Sequence, residues 1–504
     1  MTVCIRALQT AYFSGQLLCA PFLGLLADRW GRRPALLLSL VVALLGGAAA
    51  GMAPVSSASA AGAVPLLIAV FVQGCGVGGA IPITEALVVE YFDEEDVAAR
   101  GWWACLVSLG WPFGSVLSTA IAWILVPAMV HHGSGSHNNS SSSISGPSRS
   151  PELFLLSSEF ESGGSLYSDH APSPSDTNHG DWQTAYSAQG GLHGWPGVYV
   201  VLSLINLLAV GLLWACLPES PIFLKLQRES AADNNKVSHK VGALQDVSST
   251  NPARVQQHQQ QLAKLLKPAQ PRPRLTCAET YTWVLICSIW FAVSFSGNGF
   301  AVTLPLFLNS KNSASAASAD PHVYAQLMLW SAVGIPGVFI AAWAVEAESL
   351  GRKRVVVLSS LLTSVCFFVF TLCRSPVAAT LTSSAQNVVV MCCWSGIATL
   401  TSELAPTTHR ARLLGVSNMV KALAGIFGPY VGGFFVSSRP VLPLFVFSGV
   451  MLLGAIAGVL LPKDTRGQKL ANDWYGDDVD DDDDDGDWAE NKRGLLRNEG
   501  GSGS

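Results

Sequence analysis

The chain has 504 residues, of which 50 % are hydrophobic and only 13 % charged, and its mean hydropathy is +0.37. So apolar a balance excludes a soluble globular protein of this length and points to a polytopic membrane protein with no nucleic-acid partner. The formal net charge of −5 carries little meaning, because the run Asp480–Asp485 supplies much of the acid.

A helix needs about 20 mostly apolar residues to cross the hydrocarbon core. Eleven candidate spans follow along the chain, at 8–27, 34–53, 64–91, 102–128, 195–216, 281–308, 323–345, 354–373, 377–400, 414–436 and 441–461. The first ends at Gly24-Leu-Leu-Ala-Asp28-Arg29-Trp30-Gly31-Arg32-Arg33, where an acid lies three residues before a glycine and cations follow it. The glycine permits a tight reversal, while arginine heads can hydrogen-bond helix C-termini and carboxylates on the adjoining helix.

The third span contains Gly74–Gly79, a close-packing face, and two acids. Charges in hydrocarbon are costly unless paired or hydrated. Glu90, near the end of the span, is expected to pair with the Arg29–Arg33 cluster. Glu85, roughly 10 Å from that end at about 1.5 Å per residue, is either a solute or proton site or the partner of a neighbouring helix. Arg100 and Gly101 open the next span.

Residues 131–194 are rich in Ser, Gly and Pro, and read as a disordered loop. Asn138 and Asn139 head two overlapping glycosylation acceptors there. None of the eleven cysteines falls in this stretch, so a disulfide framework is not expected, and no Cys/His spacing suggests a metal site. After the span at 195–216, Leu217-Pro218-Glu219-Ser220 leads into a linker over 225–280.

The second half repeats the signature as Glu346-Ala-Glu348-Ser-Leu-Gly351-Arg352-Lys353-Arg354, with Glu348 three residues before the glycine. Duplicated punctuation of this kind describes two related helical bundles, the architecture of alternating-access transport. A single copy could merely fix topology; two copies at matching places favour a conformational latch. Trp290, Phe295, Asn298, Trp330, Gln386, Asn387 and Asn418 are candidates to line a central cavity, with ordinary packing as the alternative for each. Lys421 lies several residues inside the Gly-rich tenth span, where a cation needs an anion or a watery cavity. A fixed positive charge there favours an organic anion; a structural bridge to a carboxylate is the alternative.

Basic residues set the orientation. Arg29, Arg32 and Arg33, Lys225 through Arg274, Arg352–Arg354, His409–Arg412, and Lys463, Arg466 and Lys469 share one side, which the positive-inside rule makes cytoplasmic. The expected organisation is therefore 1–130 as the first part of an N-terminal bundle and 131–194 as an external or lumenal loop. Residues 195–224 hold that bundle's last helix and 225–280 the cytoplasmic linker. Residues 281–462 form a C-terminal six-helix bundle, and 463–504 an acidic, disordered cytoplasmic tail.

Over nearly its whole length the chain resembles the major facilitator superfamily. Asp28, Gly31, Arg32 and Arg33 match that family's loop signature between its second and third helices, and Gly351, Arg352, Lys353 and Arg354 match the copy, with Glu348 for the usual Asp. Leu217 to Leu224 resembles the Pro-Glu-Ser-Pro-Arg-Trp-Leu element of sugar porters and organic-ion transporters, with Ile222 replacing the Arg. Glu403-Leu-Ala-Pro406-Thr407-Thr-His-Arg410 matches their Glu-x-x-Pro-Thr-x-x-Arg pattern, and Glu90 with Arg100 is its more widely spaced counterpart. Ile81-Pro82-Ile83-Thr84, Trp290-Phe291-Ala-Val-Ser-Phe-Ser296 and Asn418-Met-Val-Lys421 are similar to the synaptic-vesicle-glycoprotein-like branch.

The resemblance implies an all-α polytopic fold of two pseudo-symmetric helical bundles. It also implies that the first span is the second helix of its bundle, so eleven transmembrane helices and a missing first helix, as in a truncated gene model, are expected. A cytoplasmic latch is expected of Asp28, Arg29, Gly31, Arg32, Arg33, Glu90, Arg100, Glu219, Glu348, Gly351, Arg352, Lys353, Arg354, Glu403 and Arg410. Solute contact is expected of Glu85, Trp290, Asn298, Trp330, Gln386, Asn418 and Lys421. The function expected is secondary active or facilitative transport of a small organic solute, an organic anion favoured, with a proton as candidate co-substrate and the chain acting as a monomer. No cofactor is expected, and ATP drive is not, since no Gly-x-x-x-x-Gly-Lys-Ser/Thr loop is present. Two alternatives stay open: a sugar or organic-cation carrier, and a non-transporting receptor or trafficking protein on the same scaffold. A polytopic enzyme is disfavoured by the lack of clustered catalytic groups at depth. The membrane is plasma, vacuolar or vesicular.

Overall fold

A computed structural model describes residues 2–53, 63–92, 97–134, 195–228, 231–232, 235, 277–311, 321–373, 375–406, 409–435, 441–462 and 464–466. The glycosylation acceptors Asn138 and Asn139 lie outside the described residues, as do most of the 131–194 loop, the linker and the acidic tail. Long helices make up the described chain. In the first half they are α1 (Thr2–Trp30), α2 (Arg32–Met52), α3 (Val64–Tyr91), α4 (Val97–Leu106), α5 (Gly110–Ser134) and α6 (Trp195–Cys216). The second half contributes α7 (Cys277–Lys311), α8 (Pro321–Ala332), α9 (Gly334–Glu346), α10 (Gly351–Leu372), α11 (Pro376–Leu404), α12 (Arg410–Phe435) and α13 (Leu442–Leu460).

Among the described residues, ten segments are long and apolar enough to cross a membrane. Eleven were expected. The eleventh, 414–436, forms the 26-residue helix α12, where Asn418, Lys421 and several glycines interrupt the apolar run; 13 of its residues are buried, while Leu423, Phe427, Tyr430 and Phe434 are exposed. Two spans are broken: α4 passes to α5 through a 3₁₀ turn at Val107–Leu109, and α8 gives way to α9 at Val333. These two broken spans pack on each other, with Ser115 and Ser331 sharing a hydroxyl hydrogen bond of 2.8 Å.

Helices α3, α7 and α11 are the most enclosed spans, whereas α6 exposes Leu204, Leu208, Leu212 and Trp214. In a bilayer such side chains meet acyl tails at no cost, because lipid is as apolar as leucine. Helix α1 lies along α12 for much of its length; Gly24 and Gly415 let the backbones approach, an added methyl at Gly415 lying 2.6 Å from the Ala20 carbonyl, and Gly425 makes room for the Phe13 ring. The Gly74–Gly79 stretch packs against α1 and α2, as expected of small residues at helix crossings. Two small apolar cores span the halves. One joins Ala27, Leu36, Ile83 and Leu87 to Ala411 and Leu414; the other joins Cys105 to Ala341, Val345 and Cys392.

Candidate functional site: two charge clusters and a central lysine

The duplicated signatures fold into two buried ion clusters at one end of the bundle. In the first, Glu90 of α3 accepts from Arg32 at 3.0 Å, from the Ser220 hydroxyl at 2.6 Å and from Arg410 of the other half at 3.3 Å. Arg32 also bonds the Ala27 carbonyl and pairs with Asp28 at 3.3 Å. Asp28 reaches across the seam and accepts from the backbone N–H groups of Ala411 and Arg412, the first turn of α12. A carboxylate at a helix N-terminus satisfies orphan donors and complements the helix dipole.

The second cluster repeats this wiring with the halves exchanged. Glu403 accepts from Arg352 at 3.1 Å, from Arg100 of the first half at 3.1 Å, and from the Thr465 hydroxyl. Arg352 bonds the Val345 carbonyl and pairs with Glu346 at 3.0 Å, and Glu346 accepts from the Trp102 backbone N–H in α4. Each loop is closed by one more acid. Glu219 accepts from the Arg32 N–H at 2.8 Å, and Asp464 from the Arg352 N–H at 3.2 Å. Arg32, Arg352, Arg100 and Arg410 are all at most 2 % exposed.

The glycines of the two signatures have positive φ, +108° at Gly31 and +74° at Gly351, and are the two positive-φ glycines among the described residues. Both also lie against the closing acid: a methyl on either would sit 2.5 Å from an oxygen of Glu219 or Asp464. Conformation and space together call for glycine here.

Deeper in the bundle, Lys421 of α12 is 4 % exposed, and its ammonium lies 5.5 Å from the Trp290 ring and 5.4 Å from the Trp394 ring. The two indoles meet edge to face, and Trp111 of α5 stacks on Trp394 from the other half. Trp290 is held by a 3.0 Å bond from its indole N–H to Thr401. Counting about 1.5 Å per residue, Lys421, Trp290 and Trp394 all lie roughly 15–20 Å from the cluster end, near the middle of a bilayer. Glu85 interacts electrostatically with Lys421, but no ion-pair contact joins them.

The Major Facilitator Superfamily model matches residues 5–130 and 286–476. The chain belongs to the Major Facilitator Superfamily. It is 21 % identical to the synaptic vesicle 2-related protein of Bos taurus over 92 % of this chain and 72 % of that protein. It is 22 % identical to the organic cation/carnitine transporter 7 of Arabidopsis thaliana, covering 91 % of this chain and 84 % of that one. Among solved structures, the proton:xylose symporter XylE bound to 6-bromo-6-deoxy-D-glucose superposes with a TM-score of 0.60 at 16 % identity, over 93 % of this chain and 87 % of XylE. The protein is therefore a multi-pass integral membrane transporter, not an enzyme, and the synaptic-vesicle-like resemblance agrees with these relatives.

Within this facilitator the expected residues separate. Asp28, Gly31, Arg32, Glu90, Arg100, Glu219, Gly351, Arg352, Glu403 and Arg410 all meet in the two clusters. Arg33 donates to the Trp214 carbonyl, Lys353 to the Leu461 carbonyl and Arg354 to the Ser349 carbonyl, each beside a cluster but outside its core. Arg29 is exposed. Glu348 is corrected: it is exposed, and Glu346 takes the position of Asp28, because the chain turns at Ala347–Leu350 before reaching Gly351 and carries Glu348 outward.

Asn418 bridges the halves through a 2.9 Å bond to the Gly78 carbonyl. Asn298 instead folds back on Ser294 of its own helix. Gln386 is buried, and Asn387 bonds the Trp330 carbonyl at the break between α8 and α9. Asp464, Thr465 and Trp394 escaped the sequence reading. For the first two a signal existed, since Leu461-Pro462-Lys463-Asp464-Thr465 echoes Leu217-Pro218-Glu219-Ser220. Trp394 has none, as a tryptophan inside a span is ordinary.

Proposed function

We propose that this chain carries a small organic anion by alternating access, its two halves rocking about a site centred on Lys421. The observation that carries the reading is Lys421 itself. It is buried, walled by Trp290 and Trp394, and without an ion-pair contact among the described residues. A buried cation attracts an anion, and flat indole faces suit an organic one. The charge clusters supply the latch. Arg410–Glu90, Arg100–Glu403, and the reach of Asp28 and Glu346 to the other half must all break for the halves to part at this end.

Proton-coupled symport is the companion proposal, with Glu85 as proton carrier. Glu85 also favours a second reading, carriage of an organic cation. Uptake of radiolabelled organic acids, organic cations and sugars into proteoliposomes tests these readings. Acids should be taken up, Lys421→Gln should reduce that uptake at least tenfold, and Lys421→Arg should retain most of it. Cation uptake that persists in Lys421→Gln would replace the anion reading with the second. Acid uptake unchanged by Glu85→Gln at every pH would remove the proton coupling.

A further inference from the structure

Two opposite charges face each other inside the membrane span from different halves. At about 1.5 Å per residue, Lys421 lies roughly 16 Å from the Arg410 end of α12, and Glu85 roughly 9 Å from the Tyr91 end of α3. Side chains tilt toward the N-terminus of their own helix. Lys421 therefore leans toward the cluster face and Glu85 away from it, each toward the other. Their fields interact, yet neither side chain has a hydrogen bond or ion-pair contact among the described residues.

Unused acceptors lie alongside. Gln16 of α1 and Asn418 of α12 meet on Gly78 of α3. The Asn418 amide donates to the Gly78 carbonyl, and an added methyl at Gly78 would lie 2.7 Å from the Gln16 Cα. Gln16 is 2 % exposed and Asn418 4 %, and neither Gln16 Oε1 nor Asn418 Oδ1 has a hydrogen-bond partner. A buried acceptor without a partner carries a desolvation cost that a donor brought by a solute would remove.

Charge balance selects the occupant. A lone anion on Lys421 would place a second negative charge beside Glu85 unless a proton came with it. A lone cation on Glu85 would face the lysine. A molecule with both charges neutralises each group and brings its own donors.

We propose that the solute is a small zwitterion, its carboxylate on Lys421 and its ammonium toward Glu85, with Asn418, three residues before Lys421 on α12, offering a further acceptor. The proposal rests on Lys421 being the anchor of the carried anion. Such a solute ties α3 to α12, one helix from each half, so filling the site draws the halves together.

The test is thermal stabilisation of the purified full chain by phenylalanine, leucine and 6-aminohexanoate, each beside its analogue lacking the amine and its analogue lacking the carboxylate. At least one zwitterion should half-saturate at a concentration at least tenfold below both its analogues. Glu85→Gln should erase its advantage over the amine-free analogue, Glu85→Asp should keep part of it, and Lys421→Gln should abolish stabilisation by both. If amine-free acids match or surpass their zwitterions, the zwitterion is wrong and the anion reading stands. If Lys421→Gln leaves every carboxylate as effective as before, both fail. No stabilisation by any of the three zwitterions also overturns the proposal, while acid uptake in proteoliposomes would then still judge the anion reading.

Discussion

In the first charge cluster the acid that crosses to the other half is Asp28, three residues before Gly31; in the second it is Glu346, five residues before Gly351. The second loop holds an extra turn over Ala347–Leu350, and the longer glutamate side chain still reaches the middle of α4, at Gly101 and Trp102. The cost is exposure, since the side chain of Glu346 is 24 % exposed against 10 % for Asp28. Around these acids the rest is matched pair by pair: Arg32 with Arg352, Glu90 with Glu403, Arg410 with Arg100, Glu219 with Asp464, and Ser220 with Thr465. The fold conserves the connections of a cluster more strictly than the spacing of its residues, because a buried ion tolerates a longer loop but not a lost partner.

The largest effect is expected where that rule bears hardest. Arg32→Ala and Arg352→Ala each remove a partner shared by two carboxylates, and breaking a buried pair costs about 3–5 kcal/mol. Both variants should lose thermal stability to a similar degree in detergent, and a benign Arg352→Ala would mean the second cluster is no true counterpart of the first. Glycine replacement should separate the two loops. Gly31, at φ +108° and ψ 157°, occupies a region closed to side chains, so Gly31→Ala should cost about 3 kcal/mol. Gly351, at φ +74°, is nearer the left-handed helical well, and Gly351→Ala should cost about 1–2 kcal/mol.

Smaller differences test the crossing acids. Asp28→Asn weakens two charge-assisted bonds to α12 and should cost about 1.5 kcal/mol. Glu346→Gln should cost less, because water reaches its carboxylate and screens it. Equal losses would remove exposure as the distinction. Smallest of all, Thr465→Val and Ser220→Ala each delete one hydroxyl donor and should cost about 1 kcal/mol. Chemical or thermal unfolding that finds Thr465→Val silent would show Glu403 content with its two arginines.

Legibility followed distance along the chain. The spans, the doubled signature, the glycines that turn it and the lysine inside α12 could all be read from the sequence. The pairing of Glu90 with the Arg29–Arg33 cluster was expected, since both lie at the same end of their spans; its bond to Arg410 was not. Arg100 is spaced more widely from Glu90 than Arg410 is from Glu403. In space it reaches Glu403, and the spacing within its own half does not matter. Counting back three residues from Gly351 selected Glu348, since a linear count cannot see the turn that follows α9.

By itself the sequence determined that this is a two-bundle membrane transporter, because apolar length, charge placement and repeated loop chemistry are local properties that a bilayer reads directly. Only the tertiary structure decided which carboxylate meets which arginine across the seam, that Trp394 and Trp290 wall Lys421, and that Glu85 stands opposite it without touching. Those are contacts between different helices, and packing geometry, not pattern, selects them.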